Sequence, residues 1–186
     1  MRSVSRGTPK VLGCGFHKTA TTSLTTALRT LGFRMAGFDP ELMAAYERRD
    51  LRPIWRAARH ADAFRDWPWA LLYEEFDQRY PDARFILTTR DPAPWVASLR
   101  RHAERVGPTE ARRIIYGTND LAGNEDLHVA RYEAHNAAVV DHFADRPGTL
   151  LVFDAAAGDG WNELGAFLGV EVPTDRPFPH EYRTAP

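Results

Sequence analysis

Residues 11–31 read V-L-G-C-G-F-H-K-T-A-T-T-S-L-T-T-A-L-R-T-L, and this stretch decides the fold. The apolar run at 11–16 suits a buried strand. Leu24, Ala27, Leu28 and Leu31 then recur at i, i+3, i+4 and i+7, one face of a helix that Gly32 can stop. Strand, loop and helix in that order aim backbone N–H groups and the positive helix end at one point, where an anion can sit. Lys18 adds a full positive charge, and Thr19, Thr21, Thr22 and Ser23 add hydroxyl donors. The stretch reads as a phosphate cradle. It departs from the ATP-binding pattern G-x-x-x-x-G-K-[ST], which needs glycines where Leu12 and His17 stand. The competing reading is a buried strand followed by an ordinary helix. Against it, threonine and serine favour caps over helix interiors.

Outward from the cradle, residues 84–89 (R-F-I-L-T-T) and 149–153 (T-L-L-V-F) read as further buried strands, with another expected near 63–65. Residues 41–61 read as two exposed helices interrupted at Pro53. Pro68 is placed to open a helix carrying Leu72, Phe76 and Tyr80, and Asp91-Pro92 to cap and open one reaching about His102. Residues 106–124 show glycines, Pro108 and little periodicity, the pattern of a lid or substrate loop. Helices follow at 127–143 and at 161–168, the latter ended by Gly169, and an extended tail begins at Pro173. Strands alternating with helices predict an α/β fold of three layers, a parallel sheet flanked by helices and P-loop-like in its first turn. Ligands in such sheets bind at the carboxyl ends of the strands.

The 186 residues fit a single domain spanning 1–186 with an ordinary core. A formal net charge of −1 provides no global field for nucleic acid, so an anion site must be local. The sole cysteine, Cys14, excludes an internal disulfide and any cysteine-rich metal site, and its expected place is a buried strand position. No apolar run approaches a membrane span and the N-terminus lacks a secretory pattern, so the expectation is a soluble cytoplasmic protein, with oligomers possible.

Three strand ends should converge on one site. The first carries Lys18; the second carries Arg90, with Ser98 eight residues on, a pair that suits a second phosphate or else a surface arginine and a solvated serine. H-K-T-A-T-T-S-L followed by R-D-P-A-P-W-V-A-S resembles the two signature regions of the sulfotransferases that use 3′-phosphoadenosine 5′-phosphosulfate. The resemblance continues through D-W-P at 66–68, Y-P-D-A-R-F-I-L-T-T-R-D-P, G-W-N-E-L-G-A-F-L-G and the closing P-F-P-H. The order is similar to the compact bacterial and fungal branch and covers nearly the whole chain. Ala20 stands where that family usually has glycine.

The resemblance implies a sulfuryl transfer to a hydroxyl of a small-molecule acceptor, with no metal required. It implies that Lys18 neutralises the leaving oxygen, that Thr19, Ala20, Thr21, Thr22 and Ser23 hold the 5′-phosphate, and that Arg90 and Ser98 hold the 3′-phosphate. Phe153 would contact adenine, and Trp161 belongs to a remnant of a late 3′-phosphate loop at 158–161. Family members use a histidine or an acid as general base. Asp66 is the first candidate, against a plain role as helix N-cap, and His17 the second, against packing or phosphate contact. Trp67 and Trp69 either line the acceptor pocket or belong to the core. Two other readings stay open: a P-loop nucleotide kinase or NTPase, and a non-catalytic nucleotide-binding protein.

Overall fold

The computed structural model describes residues 9–181. Its sheet has five strands in the order β2-β3-β1-β4-β5, with every neighbouring pair parallel. The strands are β1 (Val11–Gly13), β2 (Met35–Ala36), β3 (Ala63–Phe64), β4 (Arg84–Thr88) and β5 (Leu150–Phe153). The helices are α1 (Thr21–Thr30), α2 (Pro40–Glu47), α3 (Arg52–Ala58), α4 (Tyr73–Arg79), α5 (Pro92–Val106), α6 (Glu110–Tyr116), α7 (Glu125–His142) and α8 (Trp161–Leu168).

Strand alternation separates two cores. Leu12, Phe64, Phe85 and Leu87 face α2, α3, α4 and α7 through Leu42, Ile54, Phe76 and Val139. Val11, Ala63, Ile86 and Phe153 face α1 and α8 through Leu24, Leu28 and Leu164. These are the three layers that the alternation of strands and helices predicts. A third cluster lies beyond the strand ends, where Phe16 and Trp67 meet Trp95 and Leu99 of α5, Tyr116 of α6 and Tyr132 of α7.

Several elements differ from the sequence expectation. β1 ends at Gly13 rather than at 16, because the chain must bend to pass β4: a Cβ on Gly15 would lie 2.1 Å from Thr88 Oγ1. Cys14 therefore sits just past the strand, still fully buried. Pro53 lies in the first turn of α3, and the break between α2 and α3 falls ahead of it. Pro68 opens no long helix. Trp69–Leu71 form a 3-10 turn and α4 starts at Tyr73, since Trp69, Ala70 and Leu72 are all buried and cannot share one helical stripe. Asp91 occupies the N-cap position of α5, but its side chain makes no capping bond. The segment expected as a loop at 106–124 contains α6, capped by Thr109, whose hydroxyl accepts from Arg112 N–H. The short β2 had no sequence signal.

Candidate functional site

A cleft of about 520 Å³ lies at the carboxyl ends of β1, β3 and β4, where the strand order reverses around β1. His17, Lys18, Ala20, Thr21 and Thr22 line it after β1, Arg65, Asp66 and Trp67 after β3, and Arg90 after β4. Ser98, His102 and Arg105 reach it from α5, and Arg112 and Ile115 from α6.

The loop at 14–20 is held by side chains from three separate elements. His135 of α7 donates from Nε2 to the Cys14 carbonyl at 2.7 Å, and Trp95 of α5 donates from Nε1 to the His17 carbonyl at 2.9 Å. Thr19 spends its hydroxyl inside the loop, donating to the Phe16 carbonyl and lying 2.6 Å from the Thr88 hydroxyl. With those carbonyls engaged, the loop is fixed from behind. Lys18 and Ala20 both have positive φ, 70° and 66°, a conformation that costs an L-residue roughly 1–2 kcal/mol. Ala20 is also the N-cap of α1, which has no side-chain cap and no acidic residue in its first turn. The first N–H groups of a helix have no partner within the helix. Those of α1 therefore face the cleft with Lys18 beside them.

The end of α8 is the opposite case. Glu163 accepts from Gly160 N–H at 2.8 Å, Asp159 accepts from Asp154 N–H, and Asp154 accepts from Ala156 and Ala157 N–H. A carboxylate already meets the Gly160 N–H that opens α8, and the turn leading to it is folded on its own aspartates. Phe153 and Trp161, expected at the nucleotide, lie instead in the core on the α1 side, packed on Phe178 at ring distances of 5.4 and 5.3 Å. Ser23 likewise turns from the cleft, its Oγ accepting from Glu181 N–H at 3.0 Å.

The second expected anion contact has a clear physical mark. The backbone of Arg90 is pinned by Tyr132, whose hydroxyl accepts from Arg90 N–H at 2.9 Å and donates to its carbonyl at 2.8 Å. Tyr132 in turn stacks on Trp95 with ring centroids 4.3 Å apart. Arg90 Nε is buried with no partner among the described residues, and an orphaned buried donor in a cleft indicates a ligand.

The two base candidates separate by their bonding. Trp67 Nε1 donates to His17 Nδ1 at 3.1 Å, so the lone pair of that nitrogen is taken. The other nitrogen, Nε2, then carries the proton and lies 3.4 Å from the Tyr116 hydroxyl. Burial, with His102, Lys18 and other positive neighbours, holds the His17 pKa at about 3, far below 6.5. Asp66 accepts from Arg65 Nη1 at 2.8 Å and from Trp67 N–H at 3.0 Å, and it caps no helix. Burial raises its pKa above the usual carboxylate value, with Arg65 opposing. Trp67 lines the cleft, while Trp69 belongs to the core and donates to the Gly37 carbonyl. Lys18 is half-buried, and burial followed by Arg105, Arg101 and Arg90 lowers its pKa.

Sequence reasoning missed His102, Arg105 and Arg112. The first two follow Ser98 at i+4 and i+7 on one helical face, a readable pattern once α5 extends to Val106. Arg112 left no signal, since it sits in what read as a loop.

A family model described as "Sulfotransferase domain" matches residues 10–185. Among solved structures, a crystal structure of a sulfotransferase from Alicyclobacillus acidocaldarius is similar, with a TM-score of 0.62 and 20% identity. The match covers 98% of this chain and 88% of that one. No match is found among functionally curated proteins.

Proposed function

Because the chain belongs to the sulfotransferase-domain family, we propose that it transfers a sulfuryl group from 3′-phosphoadenosine 5′-phosphosulfate to a hydroxyl of a small-molecule acceptor. The carrying observation is the pairing, in one cleft, of an uncapped helix with an arginine whose buried Nε has no partner among the described residues. The residues fit that donor. The N–H groups opening α1, with Lys18, Thr21 and Thr22, suit its 5′ end, and Arg90 with Ser98 suits its 3′-phosphate.

The donor supplies an activated sulfuryl group whose bridging oxygen leaves with negative charge. Lys18 meets that charge with an ammonium that burial keeps poorly solvated. Asp66 accepts the proton of the acceptor hydroxyl as the new S–O bond forms and the bond to the bridging oxygen breaks, and Arg65 holds the carboxylate in place. Asp66 takes this role rather than His17, whose free lone pair is bound to the Trp67 indole. His17 instead positions Trp67 and the loop.

Thermal-shift titration tests the donor. Adenosine 3′,5′-bisphosphate should raise the melting temperature at concentrations where ATP with Mg²⁺ does little. Stabilisation by ATP–Mg²⁺ alone would refute the assignment.

A further inference from the structure

Beyond Lys18 and Arg90, which the donor reading uses, the cleft is lined by further basic side chains. Ser98, His102 and Arg105 ascend one face of α5, and a helix rises ~1.5 Å per residue, so His102 and Arg105 lie progressively farther from the Ser98–Arg90 pair. Arg112 of α6 lines the same cleft.

Arg112 is only 4% exposed. Its Nη1 donates to the carbonyls of Gly107 at 3.0 Å and Asn119 at 2.8 Å, which fixes the guanidinium but leaves its charge uncompensated. None of the ion pairs among the described residues includes it. Its Nε is buried without a partner among the described residues, and so is His102 Nδ1. A buried cation without a counter-charge is costly, and it is retained where something else supplies the anion.

Among the described residues no acid of the cleft is ion-paired with Arg112. Asp66 is committed to Arg65 and the Trp67 N–H, and Glu181 accepts from the Thr26 hydroxyl. His17 and His102 are both shifted towards their neutral forms, by burial first and then by neighbouring positive groups, with Asp66 opposing the shift at His102. Trp67, Val106, Ala111 and Ile115 supply the apolar wall.

We propose that Arg112, assisted by His102, forms an anion subsite for the acceptor, which is a hydroxyl compound with an apolar body and a carboxylate. This rests on the sulfuryl-transfer reading of the cleft. The carboxylate accepts from Arg112 Nε, and the apolar wall covers the body between that contact and the reacting hydroxyl.

Calorimetric titrations of the full chain, with and without adenosine 3′,5′-bisphosphate, would use 4-hydroxyphenylacetate and 3-hydroxydecanoate against their methyl esters. At least one acid should bind about tenfold or more tighter than its ester. The preference should shrink towards none in Arg112→Gln and weaken in His102→Ala, with bisphosphate affinity kept. If Arg112→Gln does not fold, Arg112→Lys and the wild-type acid-to-ester ratio still decide. Equal binding of acid and ester, no saturable binding of either acid, or an undiminished preference in a folded Arg112→Gln would overturn the proposal. A wild type that shows the acid preference but does not bind the bisphosphate would overturn the donor assignment instead, and loss of bisphosphate binding in Arg112→Gln alone would overturn the acceptor subsite.

Discussion

At one end of the cleft the functional groups come from a single loop and the helix it opens. At the other they come from α5 and α6 and meet only through packing. The loop at 14–20 is clamped from behind by Thr88, Trp95 and His135, so its N–H groups keep their direction without a ligand. The α5–α6 end is lined by Val106, Ala111 and Ile115 and by an arginine bound to two carbonyls. On the proposed reading, the clamped loop meets the donor and the wall formed by α5 and α6 meets the acceptor.

The contrast can be broken by substitution. Asp66→Asn keeps a side chain that tolerates the φ of 68° at this position and should lower kcat by ~10²–10⁴-fold, whereas His17→Gln should cost far less. Steady-state rates that fall equally in both variants would contradict the separation of their roles. Lys18→Ala should reduce transfer by ~10²–10³-fold with acceptor affinity little changed, as expected for a charge that acts on the leaving oxygen.

Stability should depend on His17 within the loop and on the buried His135 behind it. In the folded chain His17 and His135 have pKa values of about 3 and about 4, below the ordinary 6.5. Between those values and 6.5 the unfolded chain binds more protons than the folded one, so stability is full above 6.5 and is lost as pH falls towards 4. His135→Gln can still donate to the Cys14 carbonyl. It should flatten the dependence of melting temperature on pH in that window, and an unchanged slope would count against the account. The smallest effect is expected from Ala20→Gly. It should stabilise the fold by about 1 kcal/mol in denaturant melts, because glycine adopts the left-handed conformation without steric cost.

The same contrast explains what could be read in advance. The strand at Val11, the α1 stripe, Lys18 and Arg90 are coded within short windows, where periodicity and charge speak directly. Thr19 shows the limit of that approach: its hydroxyl looks like a phosphate donor but is spent on Phe16 and Thr88, 69 residues away in the chain. Phe153 and Trp161 were drawn into the core by Phe178, a partner in the tail that no local pattern reveals. α6 escaped notice because its flanking glycines and Pro108 mask a short helix. Arg112 gains its meaning only from burial.

The most direct test of the donor assignment compares adenosine 3′,5′-bisphosphate with adenosine 5′-phosphate by calorimetry, in the wild type and in Arg90→Ala. The wild type should bind the bisphosphate about tenfold or more tighter, and Arg90→Ala should bring the two affinities close together. A preference for the 3′-phosphate that survives the loss of Arg90 would contradict the account.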